Sequence, residues 1–203
     1  SGESVSSILN GADVRVRSQR GTRERFKRGL EISGRYDLQF RKIFRDAGLP
    51  EDLAYLPHVE SSFQPAARSS AGAVGMWQFT PAAAETFMPS GNKPDQRLDP
   101  FASANGAARY LSYAYGKLRD WPTAITSYNH GIGGMKRAQN QAGPDFAQIV
   151  VNYSGPAFGF ASRNYYAQFL AAREIASNPM PYFPEGVQYD APGPAHYAAT
   201  ERR

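Results

Sequence analysis

The stretch Leu49-Pro50-Glu51-Asp52-Leu53-Ala54-Tyr55-Leu56-Pro57-His58-Val59-Glu60-Ser61-Ser62-Phe63 carries both a helix and an isolated acid. Pro50 suits the first turn of a helix, and Glu51 and Asp52 suit the positive end of its dipole. Leu53, Leu56 and Val59 fall on one side, so the spacing predicts a helix that buries that side and delivers Glu60 near its C-terminal end. Pro65 limits how far it continues. Between Leu53 and Ala84, Glu60 is the only acidic residue, set among Val59, Phe63 and small side chains. Apolar surroundings disfavour ionisation and raise a carboxyl pKa, which is what a general acid near neutral pH requires. The same spacing also fits a helix-end carboxylate satisfied by backbone or by Ser61 and Ser62, and spacing alone leaves both readings open.

Upstream, Phe26, Leu30, Tyr36, Phe40, Ile43, Phe44 and Ala47 predict one helix from Glu24, stopped by Gly48 and Pro50. Residues 1–22 are rich in Ser, Gly and Arg and read as a flexible basic segment. Arg15, Arg17, Arg20, Arg23, Arg25, Lys27 and Arg28 form a basic run from it into the helix, either a solvated arm or a contact for an anionic polymer. Downstream, residues 64–79 read as loop, and Thr80-Pro81 and Asp99-Pro100 each announce a capped helix. The second carries Phe101, Ala104, Ala108, Leu111, Tyr115 and Leu118 at helical spacing. Pro122 opens a short helix reaching Tyr128, which Gly131, Gly133 and Gly134 are expected to break. Weaker helices are expected at 144–152 and 162–177. No alternating strand or repeat is evident, so the expected fold class is all-α with long connecting loops. The expected organisation is a basic segment (1–22), one domain (23–177) and a Pro-rich extension (178–203).

The 203 residues suffice for a hydrophobic core without staples. Lys and Arg number 23 against 18 Asp and Glu, a net charge of +5 that favours polyanionic partners without choosing among them. The absence of Cys excludes disulfides, thiolate metal sites and Cys nucleophiles. His58-Val59-Glu60 matches the start of a zinc-deaminase motif, but the Cys pair that would complete it is missing. His58, His130 and His196 show no metal-ligand spacing. No phosphate-cradling loop and no nucleophile elbow occurs, and no apolar run is long enough to span a membrane. Tyr110, Tyr113, Tyr115, Trp121, Tyr128, Tyr153, Tyr165 and Tyr166 concentrate in the second half, where such rings suit sugar faces as well as cores.

Leu49–Phe63 resembles the first motif of the lytic transglycosylases of the soluble-lytic-transglycosylase type, and is most similar to the membrane-bound transglycosylase D branch. Gly72-Ala73-Val74-Gly75-Met76-Trp77-Gln78-Phe79-Thr80-Pro81 resembles the second motif, Ser127-Tyr128-Asn129-His130-Gly131 the third, and Arg163-Asn164-Tyr165 the fourth. All four stand in family order across about residues 25–177. The resemblance implies a lysozyme-like helical fold and an enzyme that cleaves the β-1,4 bond between N-acetylmuramic acid and N-acetylglucosamine in peptidoglycan, leaving 1,6-anhydromuramoyl ends.

By the same resemblance, Glu60 is the catalytic residue, acting as acid and then as base. Ser61, Gln78, Tyr128, Asn129 and Tyr165 are the implied substrate-binding residues, and Tyr128 and Tyr165 are placed to orient the N-acetyl group or Glu60. Met76, Trp77 and Phe79 are expected to pack the loop. A glycosidase normally needs two carboxylates, but one suffices when the sugar's own C6 hydroxyl is the second nucleophile. No cofactor or metal is implied. The implied partner is the peptidoglycan glycan strand and not nucleic acid, for a monomer in the bacterial periplasm or at the outer membrane. Two positions depart from the family pattern: Ser127 replaces a small apolar residue, and Ala161 stands where many members carry Glu. A same-fold hydrolase of lysozyme or chitinase type, or a non-catalytic wall-binding module, are the alternatives.

Overall fold

The computed structural model describes residues 21–88 and 95–193. Among these the regular structure is helical, with only the isolated bridges Arg68–Val74 and Val74–Phe79 in extended pairing. The rest of the basic segment up to residue 20, with Arg15, Arg17 and Arg20, and residues 194–203 with His196, lie outside the described residues.

The stripe predicted as one helix from Glu24 is two, α1 (21–33) and α2 (Asp37–Asp46). Between them the N–H groups of Gly34, Arg35 and Tyr36 bond carbonyls three residues back, a tight turn. The spacing carries the reason: Leu30 to Tyr36 is six residues, which takes the apolar face out of helical phase. Gly34 has a further one. A Cβ there would lie 2.4 Å from the Asp190 carbonyl oxygen, because the C-terminal segment crosses at this turn. The predicted Pro50–Glu60 helix likewise divides into a 3-10 turn, Glu51–Tyr55, and α3, Leu56–Glu60.

The Thr80-Pro81 and Asp99-Pro100 signals are realised as helix starts. Thr80 accepts from the Ala83 N–H to cap α4 (Pro81–Phe87), and Asp99 accepts from Phe101 and Ala102 to cap α5 (Pro100–Leu118). A 3-10 turn, Gln96–Leu98, precedes α5. The main core gathers Phe40 and Phe44 from α2, Leu53 and Leu56 around the α3 entry, Phe63 and Trp77 from the loops, and Leu111 from α5.

A second, smaller core of Leu118, Met135, Ala138, Ile149, Tyr153 and Phe158 lies under the chain that follows α6 (Trp121–His130). That chain forms α7 (Ile132–Ala142) and α8 (Phe146–Asn152). The sequence reading placed a break across Gly131–Gly134, and α7 corrects it. Only Gly131, with φ of +88°, breaks the backbone; Gly133 and Gly134 lie inside α7. Gly134 is there for close packing, since a Cβ would come within 2.6 Å of the His130 ring. Finally α9 (Phe160–Ser177) packs across α3 and α6 and turns Tyr165 and Phe169 inward. Residues 178–193 are irregular and return along α1, where the buried Phe183 stacks on Phe26 at 6.4 Å between ring centres.

Candidate active site

Glu60 is the last residue of α3. Beyond it Ser61 leaves the helical region, and Ser62 and Phe63 take left-handed conformations, with φ of +51° and +58°. Two consecutive non-glycine residues in this region cost roughly 1–2 kcal/mol each. What holds them is burial: Phe63 is fully enclosed, its ring against His58 at 4.5 Å and Phe40 at 6.1 Å, and its N–H reaches back to the Pro57 carbonyl at 3.1 Å. The turn fixes the Glu60 backbone by driving the next large side chain into the core.

The Glu60 carboxyl is largely withdrawn from water, and its pKa is raised from the ordinary carboxylate value to about 7. Burial is the larger cause. The opposing one is a hydrogen bond donated by the Tyr165 hydroxyl, which favours the ionised form. Tyr165 arrives from α9, 105 residues away in sequence. Its own pKa is pushed well up, first by burial and then by the Glu60 charge, so the phenol stays a donor at neutral pH. Tyr128 on α6 is also raised well above its usual value by burial and, secondly, by Glu60. Its hydroxyl, however, donates to the Trp77 carbonyl at 2.7 Å, and so ties α6 to the loop before α4. Tyr110 packs edge-on to Tyr128 at 5.4 Å and donates to the Ser127 carbonyl at 2.7 Å. Ser127 is itself buried, and its hydroxyl donates to the Ala124 carbonyl at 2.6 Å.

The loop that faces this group is held from inside. Val74 and Phe79 exchange backbone hydrogen bonds at 2.9 and 3.1 Å. Gly75 has φ of +89°, and a Cβ on it would sit 1.9 Å from the Arg97 carbonyl oxygen, so both conformation and space demand glycine. Gln78 is also left-handed, and its amide nitrogen donates to the Gly75 and Ala67 carbonyls at 2.9 and 3.2 Å. Ser61 is buried at 2% exposure, and its hydroxyl donates to the Met76 carbonyl at 2.6 Å. This serine binds the loop to the acid's helix, a geometry that fits positioning better than sugar contact. Asn129 is exposed at the end of α6, its side-chain oxygen accepting from the Ser162 hydroxyl at 2.7 Å.

The structure thus joins Glu60 to Tyr165 directly, sets Tyr128 close enough to feel the Glu60 charge, and connects Ser61 and Gln78 to the same loop. Two supports escaped the sequence reading. Ser162 fixes Asn129, and Arg163 donates to the carbonyls of Val150, Tyr153 and Phe158 while its guanidinium lies 4.9 Å from the Phe158 ring centre. Arg163 therefore joins α9 to the second core. Ala161, exposed on the first turn of α9, makes no comparable bond. His58, two residues before the acid, is packed between Phe26 and Phe63, and burial lowers its pKa to about 3. It stays neutral at any pH near physiological.

Residues 39–149, more than half of the chain, match the transglycosylase SLT domain family. Among curated proteins the chain is similar to peptidoglycan transglycosylase gp16 of Escherichia phage T7, 33% identical over 71% of this chain and 10% of that one. It is likewise similar to membrane-bound lytic murein transglycosylase D of Escherichia coli, 33% identical over 44% of this chain and 20% of that one. The 70 kDa soluble lytic transglycosylase of Escherichia coli superposes with a TM-score of 0.58 at 25% identity, over 71% of this chain and 24% of that one. The chain spans about half or less of the length of the curated relatives it matches.

Proposed function

The chain belongs to the transglycosylase SLT domain family, and we propose that it cleaves the β-1,4 bond between N-acetylmuramic acid and N-acetylglucosamine in peptidoglycan by a non-hydrolytic route. The observation that carries this reading is Glu60 itself: a carboxyl whose burial raises its pKa to about 7, held by the Tyr165 hydroxyl. Among the described residues, no other carboxylate lines the pocket of about 350 Å3 between Glu60 and α1, whose wall includes Ser61 and Ser62 but neither Tyr128 nor Tyr165.

A group with that pKa is about half protonated at neutral pH, so it can give a proton and take one back. In the first step Glu60 donates its proton to the glycosidic oxygen as the bond to the muramoyl C1 breaks, and the substrate's own N-acetyl carbonyl shields the cationic C1. Glu60 is left as the carboxylate, which the Tyr165 hydrogen bond stabilises. In the second step it takes the proton of the C6 hydroxyl while that oxygen closes on C1, forming the 1,6-anhydro ring and returning the acid to its starting state. Being intramolecular, this attack outcompetes water, and no second carboxylate is needed to activate one.

In this reading Tyr165 and Tyr128 orient the acid and its loop, and Ser61 keeps α3 and the loop in register. Gln78 offers its side-chain oxygen, and Asn129 its side-chain nitrogen, to sugar hydroxyl and amide groups. The substrate places the protein on the peptidoglycan side of a bacterial envelope.

Mass spectrometry of digested cell wall tests the reading. Anhydro products are one water lighter than hydrolytic ones, and their appearance is expected. Muropeptides carrying only reducing ends would make the protein a hydrolase of the same fold; an undigested wall would leave a binding module.

A further inference from the structure

The basic run at the start of the fold separates into two sets once α1 is in place. Arg23 and Lys27 turn to the C-terminal segment, where both pair with Glu185 at 2.8 and 3.2 Å. Arg28 lies 3.8 Å from Glu31 and 3.6 Å from Asp190. Arg25 points the other way. Its Nε donates to the hydroxyl of Ser62 at 3.1 Å, and among the described residues it has no carboxylate partner. Ser62 is the left-handed residue two positions after Glu60, so the conformation that fixes the acid also presents this hydroxyl to Arg25.

Arg25 and Ser62 form part of the wall of the pocket that Glu60 borders, with Phe26 and Val59 supplying apolar surface and Thr22, His58 and Ser61 completing it. The pocket's volume of about 350 Å3 is at the small end of ligand clefts. His58 contributes no charge there, because its burial keeps it neutral. Among the described residues that line the pocket, Arg25 therefore supplies the one fixed charge besides the Glu60 acid, a guanidinium whose fork suits a carboxylate.

We propose that Arg25 and Ser62 form a subsite for a carboxylate carried by the substrate next to the bond being cleaved, so that the enzyme distinguishes acidic peptidoglycan from uncharged glycan. This rests on the proposed substrate and adds a specificity-determining residue to it. The carboxylate has two sources in peptidoglycan, the lactyl group of muramic acid when no peptide is attached, and the stem peptide when one is. An arginine offering two N–H groups to a carboxylate forms the stronger, charge-assisted class of hydrogen bond. A neutral glycan would leave its guanidinium to Ser62 and solvent.

Soluble glycan strands in three forms test this: peptide-bearing, denuded so that only lactyl carboxylates remain, and denuded with those carboxylates amidated. Their dissociation constants are measured by calorimetry on the Glu60→Gln protein, which keeps the strands intact, with and without Arg25→Ala. Arg25→Ala is expected to weaken binding of carboxylate-bearing strands about tenfold and to change binding of amidated strands less than twofold. A loss on peptide-bearing strands alone assigns the stem peptide; a loss on denuded strands as well assigns the lactyl group. Arg25→Lys, which keeps the charge, is expected to retain most of the preference, separating charge recognition from a general disturbance of α1. Equal weakening on all three forms, or none on either carboxylate-bearing form, overturns the subsite. Failure of the parent protein to bind any form overturns the substrate reading instead.

Discussion

Glu60 and Glu185 lie on opposite sides of α1 and show how far surroundings can drive one side chain. Glu60 is raised to about 7, because burial removes water that nothing but one phenol replaces. Glu185 is lowered to about 2 by its own backbone N–H and by hydrogen bonds from Arg23 and Lys27, in a setting open to solvent. The first carboxyl is held in a state that costs the fold stability and permits proton transfer. The second is held in a state that helps the fold and can do no acid–base work at neutral pH. Helix α1 serves both, giving Arg23 and Lys27 to one and setting Arg25 at the pocket of the other. What separates the two carboxylates is burial at Glu60 against solvent exposure at Glu185 and, among the described residues, the cations that pair with Glu185 and not with Glu60.

The largest expected effect comes from making Glu60 unable to transfer a proton. Glu60→Gln keeps the shape and the ability to accept from Tyr165, and should lower kcat on glycan strands by roughly 10^3-fold or more. Release of anhydro muropeptides, followed by chromatography, measures it. Retention of activity within a factor of ten would remove Glu60 from the mechanism.

The same substitution should raise stability. An acid whose folded pKa of about 7 exceeds its unfolded value near 4.5 binds its proton more tightly when folded. Below about 4.5 both states are protonated and Glu60 carries no ionisation penalty; the penalty then grows as pH rises and is complete above about 7. A shift of this size corresponds to ~3 kcal/mol. Glu60→Gln should therefore unfold at higher denaturant than the parent at pH 8, with the difference shrinking toward pH 4.5. A gain that does not vary with pH would show that burial is not the source of the raised pKa.

Tyr165→Phe moves Glu60 further from Glu185. Removing the hydroxyl takes away the bond that favours the carboxylate, so the Glu60 pKa should climb above about 7. The alkaline limb of the rate profile should move to higher pH, and kcat at neutral pH should fall by about tenfold or more, because the carboxylate required by the second step of the proposed mechanism becomes harder to form. An unmoved limb would mean that the hydrogen bond does not set the titration.

How much of this was legible before the structure depends on distance along the chain. Glu60 stood out because one acid in an apolar stretch is visible at short range, and the Thr80 and Asp99 caps were visible for the same reason. The all-α class followed from helical spacing, and the six-residue step from Leu30 to Tyr36 was a readable sign of the α1–α2 turn. Helix α7 was hidden by its glycines: Ile132, Met135, Ala138 and Ala142 keep helical spacing, but Gly134 resembles a breaker until the His130 ring is placed beside it. The Tyr165–Glu60 bond spans 105 residues, and no local pattern encodes it; only the ordered family motifs pointed there. Nothing in the basic run distinguished Arg25 from Arg23 or Lys27, because which face of α1 meets the pocket depends on where the C-terminal segment returns.

The smallest expected effect tests the other side of α1. Glu185→Gln removes the charge that Arg23 and Lys27 share but leaves the other attachments of the segment. Phe183 remains buried against Phe26, a contribution of ~2 kcal/mol, Arg23 still donates to the Tyr182 carbonyl at 3.1 Å, and the Asp190 N–H still reaches the Glu31 carbonyl at 2.8 Å. Because the pair is exposed, solvent and salt screen it. The sign is opposite to that of Glu60. A folded pKa of about 2 stabilises the protein above the unfolded value near 4.5 and loses that contribution as pH falls toward 2. Glu185→Gln should therefore lower the thermal midpoint slightly at pH 7 in low salt, and the difference should vanish both in about 1 M salt and in acid. A loss of several degrees that persists in high salt would show that Glu185, and not Phe183, holds the segment to α1.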